Sequence, residues 1–344
     1  MSRSSASRIA VFLLGCALSL GAASIYAVQE LDRKVLVADE SKLFVVDQGD
    51  GLIRVLNTLE ADGVIRSAQL SRFALKLQSQ SIVVKPGEYQ LRRDDSLRDL
   101  LQRFNDNDVV VYNFTIPEGV TFRWVLDKLW MHPQVTRTLA DEGDARIASL
   151  IAPFESPEGL FLPETYLISR GMSDFDILKW ARAAMKRELT KAWLSRAPAL
   201  PFSTPYELLI LASIVEKETG LASERKEIGG VFTRRLERGM RLQTDPSVIY
   251  GLGSHFDGNL KRRHLRDDSN PYNTYRISGL PPTPISLPGS AALLAAANPE
   301  EGEALYFVAR GDGGHAFSKT LDEHEENVRR YQLNRKKNYR SSPR

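Results

Sequence analysis

The chain has 344 residues, 42% of them hydrophobic, and 46 Lys and Arg against 43 Asp and Glu leave a net charge of +3. That length predicts two or three domains of ordinary globular composition, and so small a positive excess, without a basic stripe interleaved with aromatics, excludes a nucleic-acid partner. The single cysteine, Cys16, lies in an apolar N-terminal segment, which excludes a disulfide, a thiol nucleophile, a zinc finger or an iron–sulfur site in the body. The five histidines show neither an i, i+4 pair nor HExxH, so no metal and no cofactor is expected.

Residues 9–28 hold no charge and no proline. Twenty residues at about 1.5 Å each span about 30 Å, the depth of a bilayer core. Arg3 and Arg8 precede them without an acid, so the positive-inside rule keeps residues 1–8 in the cytoplasm and sends the body across the inner membrane into the periplasm. A cleaved signal peptide and a lipobox around Leu13-Leu14-Gly15-Cys16 are the two other readings. All three place the body outside the cytoplasm.

The body reads as α+β. Three times a short extended apolar run is followed by a polar turn and a short amphipathic helix, at Val45-Val46, at Tyr89-Gln90-Leu91 and at Phe114-Thr115-Ile116. Residues 29–80 form a membrane-proximal α+β region. Residues 81–117, with a helix begun at Ser96 and a strand over 109–112, are similar to a LysM-type carbohydrate module or else form a plain packing module. Residues 118–203 are a helical connecting region closed by a loop or hinge at 197–204. The last region, 204–344, is expected to be a mixed α/β catalytic domain.

That region opens on a strong helix start. Thr204 can cap, Pro205 fits the first turn and Glu207 completes a capping box, and the helix ends near Gly220. At about 100° per residue, Leu211, Ile214 and Val215 lie within about 60° of Glu218, so this carboxylate shares the apolar stripe. A carboxyl group on that face loses hydration and gains affinity for a proton, as a general acid requires. Alternatively, Glu218 ends the stripe and reaches solvent from the last turn. Glu216 projects toward the opposite face and reads as solvated. Asp245-Pro246 could serve a site or cap a helix over 247–250, and Asn273 and Tyr275 would share one side of an extended segment. Gly311-Asp312-Gly313-Gly314 reads as a hairpin turn, with His315 structural.

Ala-Ser-Ile-Val-Glu-Lys-Glu-Thr (212–219) and Met-Arg-Leu-Gln-Thr-Asp-Pro-Ser-Val-Ile-Tyr-Gly (240–251) closely resemble the YceG-like family of endolytic murein transglycosylases. Tyr272-Asn273-Thr274-Tyr275, Gly279-Leu280-Pro281-Pro282-Thr283-Pro284-Ile285, Pro288-Gly289 and Tyr306-Phe307-Val308-Ala309 extend the match. So does Glu158-Gly159-Leu160-Phe161-Leu162-Pro163-Glu164-Thr165-Tyr166, which departs from the family at Phe161-Leu162 and at Glu164. The resemblance implies that Glu218 is the catalytic acid and then base. It implies cleavage of the β-1,4 bond between N-acetylmuramic acid and N-acetylglucosamine inside nascent glycan strands, with 1,6-anhydro ends and an end to strand elongation. Gln243, Thr244, Asp245, Asn273 and Tyr275 become the expected cleft residues, and glycan strands, the membrane and peptidoglycan synthases the expected partners. A hydrolytic muramidase using Asp245 to activate water, or a non-catalytic wall-binding scaffold, are the alternatives.

Overall fold

The computed structural model describes residues 3–37 and 39–333, which divide into two compact units. The basic cluster of residues 335–340 lies outside the described residues.

Among the described residues the first unit holds 3–37 and 39–113 with 133–136 and 167–172. Helix α1 runs Arg3–Leu31, and its stretch Val11–Leu31 is long and apolar enough to cross a membrane. The helix continues three residues past the apolar run 9–28, and Ala27 and Leu31, one helical turn apart, are fully buried in the core of this unit. Strand β1 (Leu43–Val46) follows, then α2 (Leu52–Ala61), α3 (Ala68–Leu77), β2 (Gly87–Gln90) and α4 (Leu97–Asp106). Ser96 and Asp99 form a reciprocal capping box that starts α4, and Asn107 ends it in the left-handed conformation. Phe44 and Val46 point inward from β1, and Tyr89 meets Phe104 edge-on at 4.6 Å. The strand–helix–strand order expected over 81–117 is present, completed by β3 (Val111–Thr115). Strand β2 pairs antiparallel with β1, with Leu43 opposite Gln90 and Val46 opposite Gly87. The partner of this module's first strand therefore comes from outside the module.

Among the described residues the second unit holds 114–132, 137–166 and 173–333. It contains α5 (Phe122–Met131), α6 (Ala145–Ile151), the start of β4 (Thr165–Ser169), which pairs with β3, and α7 (Asp174–Leu194). Then come α8 (Pro205–Glu218), α9 (Arg225–Glu237), α10 (Asp245–Leu252), the single turn α11 (Arg262–Leu265) and α12 (Ser290–Ala297). The hairpin β5 (Tyr306–Ala309) and β6 (His315–Ser318) and helix α13 (Leu321–Val328) complete it. The expected boundary at residue 204 is no division between units, because α7 and α12 both pack against α8. Nor is this region α/β. Its only named strands past residue 204, among the described residues, are the antiparallel pair β5–β6, with Tyr306 opposite Ser318.

Helix α8 is the axis of this unit. Its capping box, Thr204 with Glu207, forms as the sequence predicts. Every residue of α8 from 208 to 215 is buried, so it has no solvent face along that stretch. Helix α9 can approach α12 closely because Gly229 lacks a side chain, and a Cβ there would lie 2.9 Å from the Ala295 carbonyl.

Candidate active site

Glu218 is the last residue of α8, and its carboxylate meets the start of α10. The Thr244 hydroxyl donates to Glu218 Oε1. Thr244 itself is 2% exposed and is held on several sides. Its N–H donates to Thr274 Oγ1 at 2.9 Å, and its carbonyl accepts from Ser247 Oγ at 2.9 Å and Thr274 Oγ1 at 3.3 Å. Ser247 and Thr274 are fully buried and share a hydrogen bond of 2.9 Å. A residue so bound cannot swing away, which fixes the donor that Glu218 sees.

Burial pushes the Glu218 carboxyl up to about 7, the Thr244 bond opposes this, the nearby Asp245 charge adds to it and Arg235 counters it. Desolvation outweighs the rest, as expected for a carboxylate that must lose water to occupy its place. The group is poised between acid and base near neutral pH.

Asp245 opens α10, is exposed, and accepts the Tyr275 hydroxyl at 2.7 Å. The cap residue of α10 is Thr244, so Asp245 lies inside the first turn and its side chain stays at the site mouth. Gln243 is exposed, and its backbone adopts φ +52°, a left-handed conformation uncommon for a residue with a side chain. Its N–H donates to the Thr274 carbonyl at 3.2 Å.

Asn273 is different. It is fully buried, its amide donates to the carbonyls of His264 at 3.1 Å and Asp267 at 2.7 Å, and its Oδ1 accepts from the Tyr275 N–H at 3.1 Å. With those groups engaged inside the chain, Asn273 braces the loop that presents Tyr275 and offers nothing to a ligand. The pair shares no strand face either, since residues 271–277 hold turns and a bend and no strand.

Glu216 is the second departure. Its side chain is 5% exposed, accepts the Gly289 N–H at 2.9 Å and lies 3.8 Å from Arg225, and burial raises its proton affinity. The segment ending at Gly289 covers the face of α8 that would otherwise meet water: the Ile285 N–H donates to Ser213 Oγ at 3.0 Å and Ser286 Oγ donates to the Ser213 carbonyl at 3.1 Å.

Arg235 escaped the sequence reading. It is 7% exposed, and its guanidinium donates to the carbonyls of Leu305 and Leu242, each at 2.7 Å, and sits 5.1 Å above the Tyr306 ring. Burial lowers its proton affinity, and its charge acts on Glu218. A signal was available: Ile228, Val231, Phe232 and Arg235 follow the apolar spacing of one helical face, so a charge stands where a core residue is expected. Glu158, which no spacing along the chain marks as a chemical group, is 4% exposed, and burial raises its carboxyl to about 7. His315 sits at the end of the hairpin turn, its Nδ1 lying 2.8 Å from Glu224 Oε2. Among the described residues no three or more His, Cys, Asp and Glu side chains come together as a metal-ion site.

A buried carboxyl group at a helix end, braced by a threonine and near an exposed aspartate and a half-buried tyrosine, has the chemistry that proton transfer requires, on a helical α+β scaffold. The YceG-like family matches residues 44–330, and the chain belongs to that family. It is 27% identical to an endolytic murein transglycosylase of Bacillus subtilis over 91% of each chain. The same identity relates it to an endolytic murein transglycosylase of Streptococcus pneumoniae, over 87% of this chain and 60% of that longer one. Among solved structures, a yceG-like protein of Listeria monocytogenes is 30% identical and superposes with a TM-score of 0.51, covering 83% of this chain and 98% of the other.

Proposed function

We propose that this protein is an endolytic murein transglycosylase that cuts peptidoglycan glycan strands with Glu218 as acid and then base. The observation that carries the reading is one desolvated carboxyl group, held at a rigid helix end by the Thr244 hydroxyl and titrating near neutral pH. Protonated Glu218 donates to the oxygen linking N-acetylmuramic acid to N-acetylglucosamine, and the bond from that oxygen to C1 breaks. The C6 hydroxyl of the same muramic ring then adds to C1, and its proton returns to Glu218. A 1,6-anhydro ring forms, no water is consumed, and no second carboxylate is needed. Gln243, Asp245 and Tyr275, exposed or half-buried beside Glu218, would contact sugar hydroxyl and acetamido groups.

The proposal includes a single-pass inner-membrane protein with its catalytic unit in the periplasm, supported by the apolar helix α1. It includes a role in ending strand elongation beside peptidoglycan synthases, and glycan binding by the LysM-like segment 81–117, both carried over from the family resemblance. A hydrolytic muramidase is the second reading, favoured by one observation: Asp245 lies close enough for its charge to act on Glu218.

The test uses the full chain in detergent, because the end of α1 belongs to the core of the first unit. Mass spectrometry of peptidoglycan digests should find 1,6-anhydro-muramic ends with the parent protein and none with Glu218→Gln. Reducing ends carrying added water would replace this reading with the hydrolase, and the absence of any cleavage by a folded, glycan-binding parent would leave a wall-binding scaffold.

A further inference from the structure

A second constellation in the same unit lies off the Glu218 cluster. Tyr250 and Tyr272 meet edge-to-face at 4.9 Å, and Phe154 stacks on Tyr206 at 4.5 Å. All four rings are half-buried, so each keeps part of its surface in reach of solvent. Their polar ends are tied down. The Tyr250 hydroxyl donates to Glu158 Oε2 at 3.3 Å, and the Tyr272 hydroxyl shares a bond of 2.8 Å with Thr283 Oγ1. Glu158 is itself held by the Phe122 N–H at 3.0 Å. The loop that carries it is pressed onto the loop that carries Thr283: at Gly159, with φ +78°, a Cβ would lie 2.5 Å from Pro284. The same Cβ would lie 3.5 Å from Leu209, one turn along α8 from Tyr206, while Pro284 follows Thr283, the partner of Tyr272, so both ring pairs flank the Glu158–Gly159 loop.

The chain links this aromatic corner to the reaction centre twice. Helix α10 begins at Asp245, next to the threonine that binds Glu218, and Tyr250 follows five residues on, a rise of about 7.5 Å. Tyr272 precedes by two residues Thr274, which locks Thr244 in place. Half-exposed aromatic rings with few convergent polar groups suit the apolar faces of pyranose rings, and tyrosines pinned by their hydroxyls lose little freedom on binding.

We propose that Tyr250, Tyr272 and the Phe154–Tyr206 pair form a saccharide subsite for an N-acetylhexosamine ring of the strand beyond the cleaved bond, with Glu158 as the positioning residue that orients Tyr250. This rests on the glycan-cleaving reading above. It sets a length requirement: a strand must reach from Glu218 to the aromatic corner to bind well. A wholly structural cluster would set none.

The measurement is calorimetric binding of β-1,4-linked N-acetylglucosamine oligomers of two and six rings to the full chain carrying Glu218→Gln, which separates binding from cleavage. Adding Tyr272→Ala or Tyr250→Ala should weaken the six-ring oligomer about tenfold and leave the two-ring oligomer unchanged. Tyr272→Phe and Tyr250→Phe keep the rings and guard against an alanine variant that does not fold; they should lose affinity less. In the protein with Glu218 intact, Glu158→Ala should raise KM for long strands with kcat retained, and Glu158→Gln, which keeps an acceptor for Tyr250, should restore KM. Equal affinities for folded ring variants at both lengths would overturn the subsite alone. Failure of the parent to bind any oligomer would overturn the glycan-cleaving reading with it.

Discussion

The Thr244 hydroxyl donates to the Glu218 carboxylate across 26 residues of sequence, joining the start of α10 to the end of α8. This bond holds the carboxyl group in one orientation and opposes the burial that raises its proton affinity. Thr244 caps α10 without a side-chain bond to the helix, so its hydroxyl serves Glu218.

Thr244→Val should therefore leave the fold intact and alter the chemistry. Losing the donor raises the proton affinity of Glu218 above its present value near 7, so the alkaline limb of the pH–rate profile moves to higher pH. Turnover should fall roughly tenfold, since the carboxylate loses a charge-assisted bond when it acts as base. An unmoved limb in pH–rate measurements with an unchanged kcat would rule out this role for Thr244.

Glu218 also imposes a pH dependence on stability. Its folded value of about 7 lies above the ordinary 4.5. Below pH 4.5 folded and unfolded chains both hold the proton. Between about 5 and 7 only the folded chain does, so stability declines as pH rises through this window and levels off above it. The interval corresponds to about 3 kcal/mol. Thermal melts should show Glu218→Gln more stable than the parent at pH 8, with the gap closing toward pH 5. A gap that does not vary with pH would refute the desolvation argument.

Asn273→Ala tests the bracing role. It strips partners from two carbonyls and from the Tyr275 N–H around a fully buried site. The loss should be about 2–4 kcal/mol in denaturant unfolding. Measured well below the new midpoint, KM should rise no further than in Tyr275→Ala, whose ring this loop presents, and a larger rise would mark Asn273 itself as a substrate contact.

At Gln243, stability and binding should move in opposite directions. Glycine adopts φ +52° without strain, so Gln243→Gly should stabilise the fold by up to about 1 kcal/mol. If the exposed amide contacts glycan, KM rises several-fold in the same variant. A stabilised variant with unchanged KM would remove Gln243 from the cleft.

Much of the local structure was legible along the chain. Thr204 with Glu207 and Ser96 with Asp99 signalled two helix starts, because a capping box needs only residues three apart. Glu218 stood out as a charge beside Leu211, Ile214 and Val215, and Arg235 carried the same signature one helix later. The apolar run of residues 9–28 announced a helix, though not that Ala27 and Leu31 would enter a core. Asn273 and Tyr275 look alike as sequence, yet one braces a loop and the other reaches Asp245.

The sequence by itself determined where helices begin and which carboxyl group shares an apolar face, since both depend on neighbours within one or two turns. Only the tertiary structure decided that Glu216 is desolvated too, that Thr244 is the partner of Glu218, and that α7 and α12 pack against α8 across residue 204. The physical reason is that desolvation is set by whatever covers a side chain. Glu216 is covered by the segment ending at Gly289, 73 residues farther along, and the spacing of one helix carries no information about which distant segment will pack there.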